Sequence, residues 1–393
     1  MPTTFTRPIE LPLDLLQDLP GLAAAASAGA EAVLRVPDEY EAMISAPGLP
    51  SEVFAIQRLL TFARAGASFR VQWGSSIAER VAVSAALFPL LAVVLSLSGA
   101  SHSVQNKTDD EVLKFIATAR KAISKYRLTS DLFSLSQIAL CADNRGQSRP
   151  RDLYDSATGS VAPRENFETM VLDVIAHQVG ASVQTSNTFK NATALGVIVA
   201  ELFENTDMHG RLDLMGRPLS PDAMRGLAFK RVVLAKPPRK GAPRNTPPEA
   251  VDCLEVLIFD TGIGYYPSYT RRPLEADTSL AEEWKVLHNC LERHFHPELE
   301  DNRSGHRAMG LAEVLRSIQA LKGRIEVRTG RLFAYRTFMD GELQAQMEEV
   351  STRFAHIAWP RPKLLDVEKK YLAIPSGHEP VVGSAVRVVV PLS

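Results

Sequence analysis

A chain of 393 residues with 45% hydrophobic and 23% charged side chains is long enough for two domains and a sizeable core. Its formal net charge of -1 excludes a global electrostatic case for nucleic acid or an anionic membrane surface, and no nucleic-acid partner is expected. Three widely spaced cysteines, Cys141, Cys253 and Cys290, give neither a disulfide framework nor a metal-ligand spacing, which points to a reducing, cytoplasmic setting.

The opening MPTTFTRPIELPLDLLQDLP carries acids and prolines and no long apolar run, unlike a signal peptide. EAVLRV and SFRVQW read as short strands, and residues 51–65 and 109–125 as amphipathic helices. Residues 81–101, VAVSAALFPLLAVVLSLSGAS, lack any charge and match the length of a bilayer span. No basic cluster or aromatic belt flanks them and no second span exists. We therefore expect a buried strand leading into a buried helix, with Pro89 in or near its first turn. CADNRGQSRPRDLYDSATGSVAPRE is polar and turn-rich and reads as a linker or surface loop. It closes an N-terminal mixed α/β region, residues 1–160, that carries no motif tied to chemistry.

Residues 161–393 read differently. Helices are expected at about 163–178 and 187–208, followed by the strand KRVVLAK, a Pro-rich basic hairpin tip and the strand DCLEVLIFD. A charged segment, 265–307, leads to the helix MGLAEVLRSIQALKG, the strands RIEVRTG and RLFAYRTFMDG, and the closing strand GSAVRVVVPL. This order predicts an α+β fold, a mixed sheet with helices on one face.

Four stretches in this half carry chemistry. In ELFENTDMHG, Glu201, Asn205 and His209 recur at helical spacing on one face, while Glu204 and Asp207 point elsewhere. A carboxylate above an amide oxygen suits a base for water beside a Mg²⁺ ligand. In FDTGIG a strand ends in Asp260, followed by Gly262 and Gly264; the glycines let backbone approach a flat ligand, and the carboxylate can accept from an amino group. SGHRAMGLAEVL sets glycines ahead of a helix start, where free N–H groups favour phosphate, with Arg303, His306 and Arg307 as cations. A Gly-Ser pair, with Ser384, opens the last strand.

In this order the four stretches resemble the N, G1, G2 and G3 boxes of the GHKL superfamily, the gyrase, Hsp90, histidine kinase and MutL ATPases with the Bergerat fold. The resemblance covers residues 165–393. It implies ATP and Mg²⁺ as cofactors. It further implies Glu201 as the catalytic base, Asn205 as the Mg²⁺ ligand, and Asp260 as the acceptor for the adenine amino group. Gly262 and Gly264 would shape the adenine pocket, and His209, Arg307, Gly310, Leu311 and Ser384 would complete the ATP site. Ala308 stands where a kinase-type G2 box has its first glycine, Ser384 stands for the family threonine, and the region 331–380 exceeds a minimal kinase catalytic domain.

His177 lies only 28 residues before Asn205, too close for a phosphoacceptor hairpin ahead of a catalytic domain, so an orthodox histidine kinase is not expected. The resemblance implies a stand-alone ATP-binding protein that hydrolyses ATP or switches with nucleotide state and regulates a protein partner; a homodimer is compatible with it. Phosphotransfer to a protein, a nucleotide-gated binder without turnover, and a membrane-tethered sensor are the alternatives. Residues 265–309 are expected to act as a nucleotide-ordered lid.

Overall fold

The computed structural model describes residues 9–10, 31–44, 52–125, 137–142, 150, 152–179, 186–219, 223–236, 249–291, 310–338, 346–351, 356–361, 364–368 and 375–392. In the N-terminal unit, β1 (Ile9–Glu10), β2 (Glu31–Val36), β3 (Ser68–Trp73) and β4 (Ser101–Val104) form a parallel sheet in chain order. Helices α1 (Tyr40–Ile44) and α2 (Glu52–Arg64) join β2 to β3, and α3 (Ser75–Ser84) and α4 (Pro89–Ser96) join β3 to β4. Helix α5 (Asp109–Lys125) follows.

The uncharged segment 81–101 departs from the expected strand and helix. It begins inside α3, passes a 3₁₀ turn at Ala85–Leu87, and enters α4 at a bend of 100° with Pro89 at the first helical position. A strand would turn Val81, Val83 and Ala85 to one face. Instead Val81 and Ala85 are buried while Val83 is 76% exposed, which is the helical period. Leu90 to Leu95 are sealed in the core, and no single helix among the described residues is long and apolar enough to cross a membrane.

The second sheet has seven strands: β5 (Gln137–Ala142), β6 (Met224–Lys236), β7 (Glu249–Asp260), β8 (Arg324–Gly330), β9 (Leu332–Thr337), β12 (Leu365–Asp366) and β13 (Val381–Pro391). Strands β10 (Gln346–Ser351) and β11 (His356–Arg361) form a separate hairpin. The α+β class is as expected, but every pairing in the large sheet is antiparallel rather than mixed. Its order is β12-β9-β8-β13-β7-β6-β5, so the last strand of the chain lies between β7 and β8. The hairpin joining β6 to β7 is present by register; its Pro-rich tip lies outside the described residues. Strand β5 belongs to this sheet although it precedes residue 161, and Leu153 and Tyr154 join the same core.

Helices α6 (Arg164–Val179), α7 (Ser186–His209) and α10 (Gly310–Ala320) cover one face of the sheet. Leu254, Val256 and Ile258 of β7 and Val386, Val388 and Val390 of β13 point into this core. The alternate residues Leu257, Phe259 and Ala385, with Met224 and Ala228 of β6, point the other way and join Ile56, Leu59 and Leu60 of α2 in a second core. The sheet is therefore covered on both faces, not on one. Helix α8 (Tyr265–Thr270) and helix α9 (Leu280–Cys290) occupy much of the expected lid, and Trp284 and Leu287 lie in the helical-face core. That part of the segment is built into the fold.

Removing the N-terminal unit would expose Met224, Leu257 and Phe259, at a cost of roughly 5–9 kcal/mol of lost burial. A whole domain is typically stable by only about 5–15 kcal/mol. A fragment comprising residues 161–393, which also lacks β5, should therefore fail to give a cooperative unfolding transition in circular dichroism. A transition as sharp and as late as that of the full chain would contradict the two-faced core.

Candidate functional site

The antiparallel register of β7 and β13 sets Ser384 opposite Asp260. Asp260 has the parity of Ile258 and Ser384 that of Val386, so both side chains face the helical layer. The Ser384 hydroxyl donates to Asp260 Oδ2, and the Gly262 N–H donates to Oδ1 at 2.7 Å. Asp260 is only 6% exposed. Burial pushes its carboxyl pKa up, opposed by the bonds from Ser384 and Gly262 and by the Arg225 charge.

Two glycines make this contact possible. A Cβ on Gly262 would stand 2.6 Å from Gly210 Cα and 2.6 Å from the His209 carbonyl oxygen. The turn after Asp260 is thus pressed onto the C-terminal end of α7. Gly383 has φ +63°, the left-handed region that side chains avoid, and a Cβ there would fall 1.9 Å from the Asp260 carbonyl oxygen. It sits where the β13–β8 register slips between Val381 and Ser384, a bulge that brings β13 close over Asp260.

Helix α7 brings its polar end to the same place. Asn205 is half-buried, and His209 is exposed at the helix end, where partial burial and the Arg271 charge lower its pKa. Glu201 lies two turns back from His209, roughly 12 Å along the axis. Its carboxylate is paired with Arg164 in the first turn of α6. Glu204 is exposed. Asp207 turns inward: it accepts from the Tyr154 hydroxyl at 2.8 Å and from the fully buried Arg225 at 3.0 Å. This pair anchors the helix end to β6, a role the sequence pattern did not single out.

Gly264 precedes α8, with Thr329 Oγ1 nearby, and the Tyr265 N–H donates to that oxygen at 3.3 Å. Gly310 begins α10, and Leu311 is half-buried against the helical-face core. Arg303, His306, Arg307 and Ala308 lie outside the described residues, as does the side chain of His177. The structure thus brings Asp260, Gly262 and Ser384 together with the end of the helix that carries Asn205 and His209. Glu201 stands apart on that helix, engaged by Arg164.

Three residues of the N-terminal unit also reach this region. Arg64 of α2 donates to the Thr261 carbonyl, and Thr61 Oγ1 accepts from the Val382 N–H at 3.1 Å. Gln57 Nε2 donates to the carbonyls of Arg328 at 3.1 Å and Val382 at 3.2 Å. Thr61 and Arg64 line a cavity of about 380 Å³ against Gly262, Ile263 and Gly264. Neither Asn205 nor Asp260 lines it. No protein-family model, curated protein or solved structure matches the chain.

Gly262→Ala should destabilise the fold by about 1–3 kcal/mol, because the two nearest atoms its Cβ would meet are backbone and cannot swing aside, and the third is an oxygen of the buried Asp260 carboxylate. Denaturant unfolding of wild type and variant measures this. Equal midpoints would mean that the turn is not pressed onto α7.

Proposed function

We propose that the seven-stranded unit is an ATP-binding module of the GHKL type, dependent on Mg²⁺, whose nucleotide state regulates a protein partner. One observation carries the reading. Asp260, Gly262, Ser384 and the end of α7 come from segments separated by up to 174 residues, between Gly210 and Ser384, yet they meet at one point. The resemblance requires that meeting, and composition does not.

The chemistry of the donor set fits a nucleotide base. Asp260 receives donors from Ser384 and Gly262, and a carboxylate offers about four acceptor positions. Capacity remains for one more donor, such as the exocyclic amino group of adenine. Asn205 supplies an oxygen of the kind Mg²⁺ takes, one helical turn from the contact with Asp260. Bound Mg-ATP would supply the reactive phosphoryl group. On this reading Asp260 and Ser384 hold the base, Asn205 holds the metal, and Glu201 would take a proton from the attacking water. The Arg164–Glu201 pair favours the alternative in which ATP is bound with little turnover, since a carboxylate held by a guanidinium is not free to act as a base.

Mg-ATP titration and phosphate release on the full chain separate these roles. Asp260→Asn should weaken binding about ten- to a hundredfold, the effect of one charge-assisted hydrogen bond. Asn205→Ala should weaken Mg-ATP binding as well. If turnover exists, Glu201→Ala should reduce it about 10²–10⁴-fold at near-normal affinity. Glu204→Ala should change neither. Unchanged affinity in a folded Asp260→Asn variant sinks the adenine assignment, and no turnover in wild type with intact binding favours the gated binder.

A further inference from the structure

Helix α2 presents Gln57, Thr61 and Arg64 at i, i+4 and i+7, one polar stripe on a helix whose other positions are largely buried and apolar. Each of the three hydrogen-bonds to backbone, and the Arg64 charge also acts on the Asp260 carboxylate. Two of the partner residues, Val382 and Thr261, lie where the β-ladder is interrupted, and the third, Arg328, is in regular register one residue from the slip's edge at Thr329. Val382 sits in the register slip between Val381 and Ser384, so neither its N–H nor its carbonyl takes a regular place in the ladder. Thr61 accepts from the first and Gln57 donates to the second. The Thr261 carbonyl lies in the turn beyond the end of β7, and Arg64 donates to it.

These positions flank the candidate site on both sides. Thr261 immediately follows Asp260, and Val382 lies two residues before Ser384. The same helix therefore grips both strands whose ends form the Asp260–Ser384 pair. Phe54, one turn earlier on the same face, adds an aromatic contact with Phe333 at 4.7 Å between ring centroids. A side-chain donor on a backbone carbonyl fixes the position of that peptide, and a tilt or slide of α2 would move Thr261 and Val382 together.

We infer that Gln57, Thr61 and Arg64 are positioning residues through which the N-terminal unit sets the geometry of the nucleotide site, making that unit a built-in regulator of the module. The inference rests on the proposed nucleotide site for its second half. Its first half, that α2 holds the turn and the bulge, is independent of any ligand. Arg64 is the main element, because it is the residue that reaches the turn carrying Gly262 and Gly264, and it does so from outside the sheet's own unit.

The test uses the full chain and two readouts. In hydrogen exchange without nucleotide, Arg64→Ala should speed exchange in residues 261–265 by about tenfold or more, the expected effect of losing one charge-assisted bond, while amides of α7 stay protected. Thr61→Val, which keeps shape but removes the hydroxyl, should do the same at 381–384. It serves also if Arg64→Ala fails to fold. In Mg-ATP titration, Arg64→Ala should weaken binding several-fold, and Arg64→Lys, which keeps a donor for the carbonyl, should restore most of it.

Unchanged exchange in both segments overturns the positioning role. Altered exchange with wild-type affinity in Arg64→Ala overturns the link to nucleotide. If wild type itself does not bind Mg-ATP, the proposed function fails and the regulatory half of the inference falls with it; the exchange result alone then decides whether α2 holds the turn and bulge.

Discussion

The structure turns on the insertion of β13 between β7 and β8. That single placement completes the sheet and sets Ser384 against Asp260 in register. Beyond Ser384, where β7 has ended, the β13–β8 register slips, and the bulge at Val382 and Gly383 lies there. A buried carboxylate is costly unless donors face it. Here the donors are supplied by the strand that closes the sheet and by the turn that ends β7. The polar site is therefore a consequence of how the last strand is threaded, and it cannot form until Asp260 and Ser384, 124 residues apart, have met.

The second consequence concerns the N-terminal unit. An antiparallel sheet commonly leaves one face to solvent. This one does not: α6, α7 and α10 cover one face, and α2 covers the other. The charged residues on the α2 face are paired rather than solvated, with Arg387 of β13 bridging Glu255 and Glu326 on the neighbouring strands. The N-terminal unit is thus part of the sheet's stability, and through Gln57, Thr61 and Arg64 it also touches the backbone beside Asp260. Stability and the proposed control of the site share one interface.

Much of the architecture was legible in the sequence. The helices at 109–125 and 163–178 and the strands EAVLRV, SFRVQW, DCLEVLIFD and RIEVRTG stand where periodicity puts them. Local pattern marks Asp260, Gly262 and Ser384, though not their proximity. What was missed was tertiary. The run VAVSAA alternates like a strand, yet buried Val81 and Ala85 with exposed Val83 follow the helix that its neighbours stabilise. QIALCA lies just ahead of a turn-rich stretch, and nothing local says that it pairs with β6 rather than ending the N-terminal region. The cover on both faces did leave a signal. In LEVLIF and AVRVVV apolar residues fall on both parities, which marks strands buried on both sides. The stripe of Gln57, Thr61 and Arg64 was likewise visible as polar positions at helical spacing, but its partners are backbone atoms more than 190 residues away, from Arg64 to Thr261, and no side-chain pattern points to them.

The most direct test of the central claim is a crystal structure of the full chain with Mg²⁺ and a non-hydrolysable ATP analogue. The account predicts the adenine amino group within about 3 Å of an Asp260 carboxylate oxygen, with Ser384 still bonded to that carboxylate and Mg²⁺ on the Asn205 amide oxygen. A nucleotide bound away from Asp260, or an Asp260–Ser384 pair left closed with no base beside it at saturating analogue, would contradict it.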